Sequence, residues 1–190
     1  MPLLLRVTCV VGSWVLCPWV ASLGPHSCIV LVDSLFMVHL KIAHERQERY
    51  HLWEGNALEQ ALGHGAVDIL EVPINPGSVH WAGIQVDLKC HTFQYCDGYS
   101  TSKVAEMADL ELLAWFLLPF THGTTILSPL ECSIIPTPCQ TDHHSCGIML
   151  LSSLAAEYLG WTPWSQSQAA LHRMHWFLVL SEPFCTLVEQ

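Results

Sequence analysis

Cys146 lies in Ser145-Cys146-Gly147, where a loop gives way to the strongly helical stretch CGIMLLSSLAAEYL (146–159), which Gly160 ends. Ser145 is a competent N-cap. A cysteine in the first turn of a helix meets the positive end of the dipole, which favours the thiolate. A thiolate that attacks a carbonyl needs an imidazole to move protons and a third group to orient that imidazole. His80 ends the run VPINPGSVH, and Asp97 follows it by 17 residues. The segment between them reads as a hairpin, which returns both positions to one neighbourhood and brings a carboxylate within reach of the imidazole. Gln140 stands six residues before Cys146, near enough along the loop for its side-chain amide to donate to an oxyanion. Each residue alone has a plainer reading, as core cysteine or ordinary polar histidine. Their combination, in this order, points to nucleophilic chemistry at a carbonyl.

The elements that must position these residues are read from periodicity and punctuation. Residues 27–43 (SCIVLVDSLFMVHLKIA) form a near-continuous apolar run, read as a mostly buried helix. HERQERY (44–50) is its solvated end, and Gly55, Gly63 and Gly65 punctuate a loop or short helix. AVDILEV (66–72) reads as a strand leading into Pro73, and VHWAGIQVDL (79–88) as a second strand that contains His80. TFQYC (92–96) is a third, joined to the second by a turn at 87–89. Residues 104–118 have helical spacing and Pro119 stops them. Ser133–Thr137 reads as a short strand, and 165–180 as a last helix with Pro183 beyond it. The order is helix, three strands, helix, strand, helix, helix, which makes one α+β domain.

Composition removes several alternatives. Hydrophobic residues are 51% of the 190 and charged residues 13%, against about 25% charged in an average domain. A disordered chain shows the opposite balance. A net charge of −10 argues against a nucleic-acid footprint, and the 12 histidines make that charge pH-dependent. The 9 cysteines are odd in number and form no C-x-x-C pair. That pattern fits neither a disulfide framework nor a structural zinc site, and reads as reduced thiols inside a cell. His143 and His144, beside Cys139 and Cys146, match no common zinc spacing. Residues 1–23 loosely resemble a secretory signal. Gly12, Ser13 and Pro18 interrupt their apolar stretch, which is short for a span of about 20 residues. They read better as a strand pair or domain edge. Asp142 reads as a solvated loop residue. His175-Trp176 repeats the His-Trp of 80–81 in a helical pattern, without a following strand and Asp. Trp115, Phe116, Trp161 and Trp164 read as core or domain-edge aromatics.

VPINPGSVHWAGIQVDLKCHTFQYCDGYS (72–100) and CQTDHHSCGIMLLSSLAAEYLG (139–160) resemble the ubiquitin-like-protein-specific cysteine proteases, the Ulp or sentrin protease group. A His-Trp in a strand, an Asp after an aromatic-rich strand, a Gln and a Cys-Gly turn occur in that group's order. The resemblance implies a papain-like α+β fold of the Ulp type, a central mixed sheet flanked by helices, over 27–190, with 1–26 as an N-terminal edge. It implies His80 as general base, Asp97 as its orienter, Gln140 at the oxyanion hole and Cys146 as nucleophile. Trp81 would cover the narrow channel that admits a substrate's C-terminal Gly-Gly. The implied partner is SUMO or another ubiquitin-like modifier, cut after that Gly-Gly, with no metal and no cofactor. A monomer in the nucleus or cytoplasm is expected, with no nucleic-acid or membrane partner.

The sequence departs from the group's pattern at three points. Ser145 stands where Asp is usual before the nucleophile, and Gly98 where Ser is common. The entry Trp-Leu has no clear counterpart, with Trp14 and Trp19 as candidates. These leave open a module that binds a modifier tail without turnover, a protease for a different modifier, and a related Cys-His-Asp acyltransferase.

Overall fold

The computed structural model describes residues 9–10, 13–14, 29–32, 35–48, 57–76, 80–99, 105–121 and 131–188. Two short strands, β1 (Cys9–Val10) and β2 (Ser13–Trp14), pair antiparallel near the N-terminus. This is the strand pair expected there; Trp19 lies outside the described residues.

The centre is a five-stranded mixed sheet in the order β3-β4-β5-β6-β7. The strands β4 (Ile69–Ile74), β5 (Ala82–Asp87) and β6 (Thr92–Cys96) form an antiparallel meander. β3 (Ile29–Leu31) and β7 (Ser133–Ile134) add to it in parallel at the two edges. The turn between β5 and β6 closes on Asp87, whose Oδ1 accepts the backbone N–H groups of Lys89 (2.9 Å) and Cys90 (2.7 Å).

The helices divide between the two faces. Helix α1 (Phe36–Glu45) buries Phe36, Leu40 and Ala43, the i, i+4, i+7 face. Helix α3 (Met107–Leu117) buries Leu110, Leu113 and Leu117 in the same cluster, and Phe36 meets Phe116 edge-on at 5.3 Å. Leu58 and Leu62 of the short helix α2 (Ala57–Gly63) join them. Against this layer the sheet presents Leu70, Val72, Ile74, Ala82, Ile84, Val86, Phe93 and Tyr95. Helix α4 (Cys146–Leu159) covers the other face, where Leu150, Leu154 and Tyr158 pack on Ile29 and Cys96. Gly160 takes a left-handed φ of 67° and ends α4, a conformation glycine adopts without penalty. Helix α5 (Ala169–Val188) follows a short 3-10 turn at Gln166–Gln168. Trp176 anchors it, with its indole N–H on Ser152 Oγ of α4 at 2.9 Å.

Several elements differ from the sequence expectation. The apolar run 27–43 is a strand followed by a helix. Ile29-Val30-Leu31 pairs in register with Ile69-Leu70-Glu71, and a short strand whose residues pack on both faces shows no alternation to distinguish it from a helix. Pro73 lies inside β4 rather than after it. Among the described residues β3 pairs with β4 only as far as Glu71, so the missing N–H of Pro73 interrupts no β3–β4 bond there. β5 begins at Ala82, which leaves His80 just ahead of the strand. Beyond Ile134, Pro136 and Pro138 cannot donate to a ladder, so β7 is shorter than expected. α5 continues through Pro183; a proline removes one helix bond without always ending the helix.

Candidate active site

The strand pair β5–β6 builds the first half of the site. Gly83 of β5 stands opposite Cys96, the last residue of β6, so His80 and Asp97 leave the same end of the sheet. Asn75, the residue after β4, accepts the His80 backbone N–H on its Oδ1 at 3.2 Å. His80 Nε2 lies 2.8 Å from Asp97 Oδ1. A carboxylate accepts, so Nε2 carries the proton and Nδ1 is the bare acceptor. Nδ1 is buried, with no hydrogen-bond partner among the described residues. Asp97 is 2% exposed. Three donors hold its carboxylate: His80, the Tyr99 N–H (2.7 Å to Oδ1) and the Tyr95 hydroxyl (3.1 Å to Oδ2). The Tyr99 ring lies against the His80 ring, centroids 4.5 Å apart, and its hydroxyl meets His143 Nδ1 at 3.0 Å.

The chain after β7 builds the second half. It runs beside 95–98: the Ile135 N–H donates to Tyr95 O at 2.8 Å, and the Gln140 N–H to Gly98 O at 2.8 Å. That brings Gln140 beside Asp97. Its side-chain Nε2 donates one proton to Asp142 O (2.9 Å), which leaves its second proton uncommitted; its Oε1 is buried and unpaired among the described residues. Cys146 is the first residue of α4 and is buried. A Cβ on Gly147 would stand 3.3 Å from Cδ1 of Trp81. The Cys146-Gly147 turn thus lies against the indole of the residue next to His80, and a larger residue at 147 would crowd that ring. The observed contacts are His80–Asp97, Gln140–Gly98 and Trp81–Gly147; no hydrogen bond joins Cys146 to His80 among the described residues.

Ser145 does not act as the expected side-chain cap: α4 has no side-chain cap bond. Its hydroxyl donates to Asp142 Oδ2 (2.7 Å) and accepts from Arg173 Nη2 (2.5 Å). Asp142 is likewise no free loop residue, because five donors converge on its carboxylate. The hydrogen bonds from Ser145, Gln166 and the His144 N–H hold that carboxyl well below the usual carboxylate range. Cys96, one residue before Asp97, is a different kind of cysteine: burial, then the charge of Glu71, pushes its thiol up to about 12, so it stays protonated.

A family model described as the Ulp1 protease family, C-terminal catalytic domain, matches residues 26–176. The chain belongs to the Ulp1 protease family. Its fold is that of solved Ulp1 SUMO protease domains. One with the catalytic cysteine oxidised to a sulfenic acid superposes with a TM-score of 0.61 at 21% identity, over 82% of this chain and 69% of that one. The sulfonic acid form gives 0.59 at 21%, over 76% and 65%. The C-terminal Ulp1 domain in complex with Smt3, the yeast orthologue of SUMO, gives 0.57 at 19%, over 80% and 66%. The chain thus spans about two thirds of the length of those domains. No curated protein matches it by sequence.

One departure from the Ulp pattern has a packing reason. A Cβ at Gly98 would overlap Met149 Cε and stand 3.4 Å from Gln140 Oε1. Met149, fully buried, occupies the space a serine would need. Sequence reasoning missed Asn75, Tyr95, Tyr99, Met149, Gln166 and Arg173. Asn75 carried a local signal, an Asn-Pro-Gly sequence after a strand; Tyr95 and Tyr99 bond Asp97 from two residues away, and Met149, Gln166 and Arg173 meet the site through tertiary contacts.

Proposed function

We propose that this chain is a cysteine peptidase or isopeptidase that cleaves after the C-terminal Gly-Gly of SUMO or a closely related modifier. The observation that carries the reading is the His80–Asp97 pair at 2.8 Å, with Nδ1 of the same imidazole buried and unpaired. Asp97 fixes the tautomer that leaves Nδ1 able to take a proton. Cys146 gives its proton to that nitrogen and its sulfur attacks the carbonyl carbon of the terminal glycine. The carbonyl oxygen becomes an oxyanion, met by the uncommitted N–H of Gln140 and by backbone donors at the start of α4. His80 then protonates the departing amine, either a peptide nitrogen or a lysine side chain, and the thioester forms. Water attacks the thioester with His80 as base; the modifier leaves with a free carboxylate and Cys146 recovers its proton. Trp81 lies beside Gly147, where its indole would wall the path of a tail without side chains. The family match and the fold shared with SUMO proteases support this substrate class. Met149 behind Gly98 and the bonds of Ser145 show how the two departures are accommodated.

The test is a SUMO C-terminal vinyl-sulfone probe, run beside a Gly-Gly-extended SUMO precursor. The wild type is expected to form a covalent adduct and to cleave the precursor, and Cys146→Ala to do neither. No wild-type adduct, or an equal adduct with Cys146→Ala, overturns the reading. Tight SUMO binding without cleavage would instead identify a tail-binding module.

A further inference from the structure

The loop 140–145 joins the two groups that must act on one carbonyl, Gln140 at its start and Cys146 just after its end, and a surface loop is ordinarily the least constrained part of a fold. Here one residue bonds to most of it. The Asp142 carbonyl accepts the Gln140 amide at 2.9 Å. Its Oδ1 accepts the N–H groups of His144 (2.9 Å) and Ser145 (2.8 Å). Its Oδ2 accepts Ser145 Oγ (2.7 Å), Gln166 Nε2 (2.8 Å) and Arg173 Nη2 (3.1 Å). Gln166 returns a bond to the loop by accepting the Thr141 N–H at 3.1 Å, and Arg173 also donates to Ser145 Oγ at 2.5 Å.

We propose that Asp142 is a positioning residue: it ties the Gln140 amide, the turn bearing Cys146 and helix α5 into one unit, so that oxyanion donor and nucleophile address the same carbonyl. This rests on the roles given above to Gln140 and Cys146. Two observations separate the role from simple stabilisation. The Asp142–Arg173 pair is open to solvent, with side chains 26% and 43% exposed, and ion pairs of that kind add little to stability. The guanidinium also offsets the carboxylate, so the pair adds no net charge ahead of α4, where a bare anion would oppose a thiolate.

The experiment uses the full chain and three readouts: cleavage of a Gly-Gly-extended SUMO precursor, hydrolysis of p-nitrophenyl acetate, and the rate at which iodoacetamide alkylates Cys146. The ester needs an oxyanion site but no modifier surface. Asp142→Asn is expected to lower kcat about 10–100-fold on both substrates, the range that a small misplacement of reacting groups produces. KM for the precursor and the alkylation rate should stay within about threefold, because neither needs the oxyanion donor aligned. Ser145 Oγ already contacts Arg173, so a carboxylate at 145 reaches the same guanidinium. Asp142→Asn/Ser145→Asp should therefore regain kcat to within about fivefold of wild type. If Asp142→Asn does not fold, Gln166→Ala, which leaves the turn's own bonds to Asp142 and the Arg173 pair in place, should show the same split between kcat and alkylation at about 3–10-fold. An Asp142→Asn enzyme with kcat within twofold of wild type overturns the proposal, and so does a fall in alkylation parallel to the fall in kcat. A wild type that hydrolyses the ester and leaves the precursor intact overturns the modifier-protease reading alone, with the positioning role then judged on the ester. A wild type inert to both substrates while Cys146 alkylates normally overturns both.

Discussion

The two faces of the central sheet are built on different principles. The face under α1 and α3 is an unbroken apolar cluster running from Val30 to Leu117, with Leu70, Ile84, Val86 and Phe93 as its floor. The face under α4 is thinner, with Ile29, Cys96, Leu150, Leu154 and Tyr158 as its buried apolar set, and it also holds polar groups. Glu71 and Gln85 are buried there, Gln85 donates to Glu71 Oε1 at 2.7 Å, and the Tyr158 hydroxyl donates to the same oxygen. Burial, only partly offset by those bonds, raises the Glu71 pKa to about 7. The candidate site lies at the end of this polar layer. One face supplies the hydrophobic free energy of folding; the other holds titratable groups in place at a cost to stability, an arrangement expected where chemistry is done.

The sharpest test of that division sets one substitution in each region. His80→Ala should lower kcat on a Gly-Gly precursor by roughly 10²–10⁴-fold, the contribution of a positioned general base, with only a modest change in urea midpoint. Phe93→Ala should do the reverse. Its ring is fully buried, so truncation should cost about 3–5 kcal/mol in urea unfolding while kcat per folded molecule holds. Equal effects of the two on both measurements would dissolve the distinction between the faces.

A smaller effect concerns pH. The Glu71 carboxyl titrates at about 7 in the fold against 4.5 as its ordinary value. The native state therefore keeps a proton that the unfolded chain releases, and stability falls as pH rises from 4.5 to about 7, then stays low above that window. Glu71→Gln keeps an acceptor for Tyr158 and Gln85 and removes the titration. It should flatten the urea-midpoint profile and add roughly 1–3 kcal/mol at pH 8 relative to wild type. A profile unchanged by the substitution would show that Glu71 is ionised without penalty. The smallest expected effect is at the join between the polar layer and the site. Gly98→Ser must displace Met149, which should cost about 1–2 kcal/mol by overpacking. Met149→Ala in the same chain should recover part of that loss, so a double-mutant cycle should give a coupling of about 0.5 kcal/mol or more. Strict additivity would mean that the two side chains do not compete for space.

Local chemistry was legible where a residue's neighbours in sequence are also its determinants. β6 over Thr92–Cys96 and α4 over Cys146–Leu159 coincide with their sequence readings, because alternation, a first-turn cysteine and a terminal glycine are all local signals. β3 was not legible: three apolar residues fit a strand and a helix equally, and only pairing with β4 decides between them. Asp142 was misread for a related reason. As a loop residue its default partner is water, and what makes it a hub is Arg173 and Gln166, 31 and 24 residues away.

The order of residue types along the chain was enough to nominate His80, Asp97, Gln140 and Cys146, because a thiol mechanism calls for those groups and the hairpin that joins the first two is encoded between them. Which nitrogen of His80 is left bare, which side chain fills the space beside Gly98, and what holds the loop before Cys146 were decided by the tertiary structure alone. Each depends on groups brought together across the fold at distances of about 3 Å, and no pattern in neighbouring residues specifies contacts of that kind.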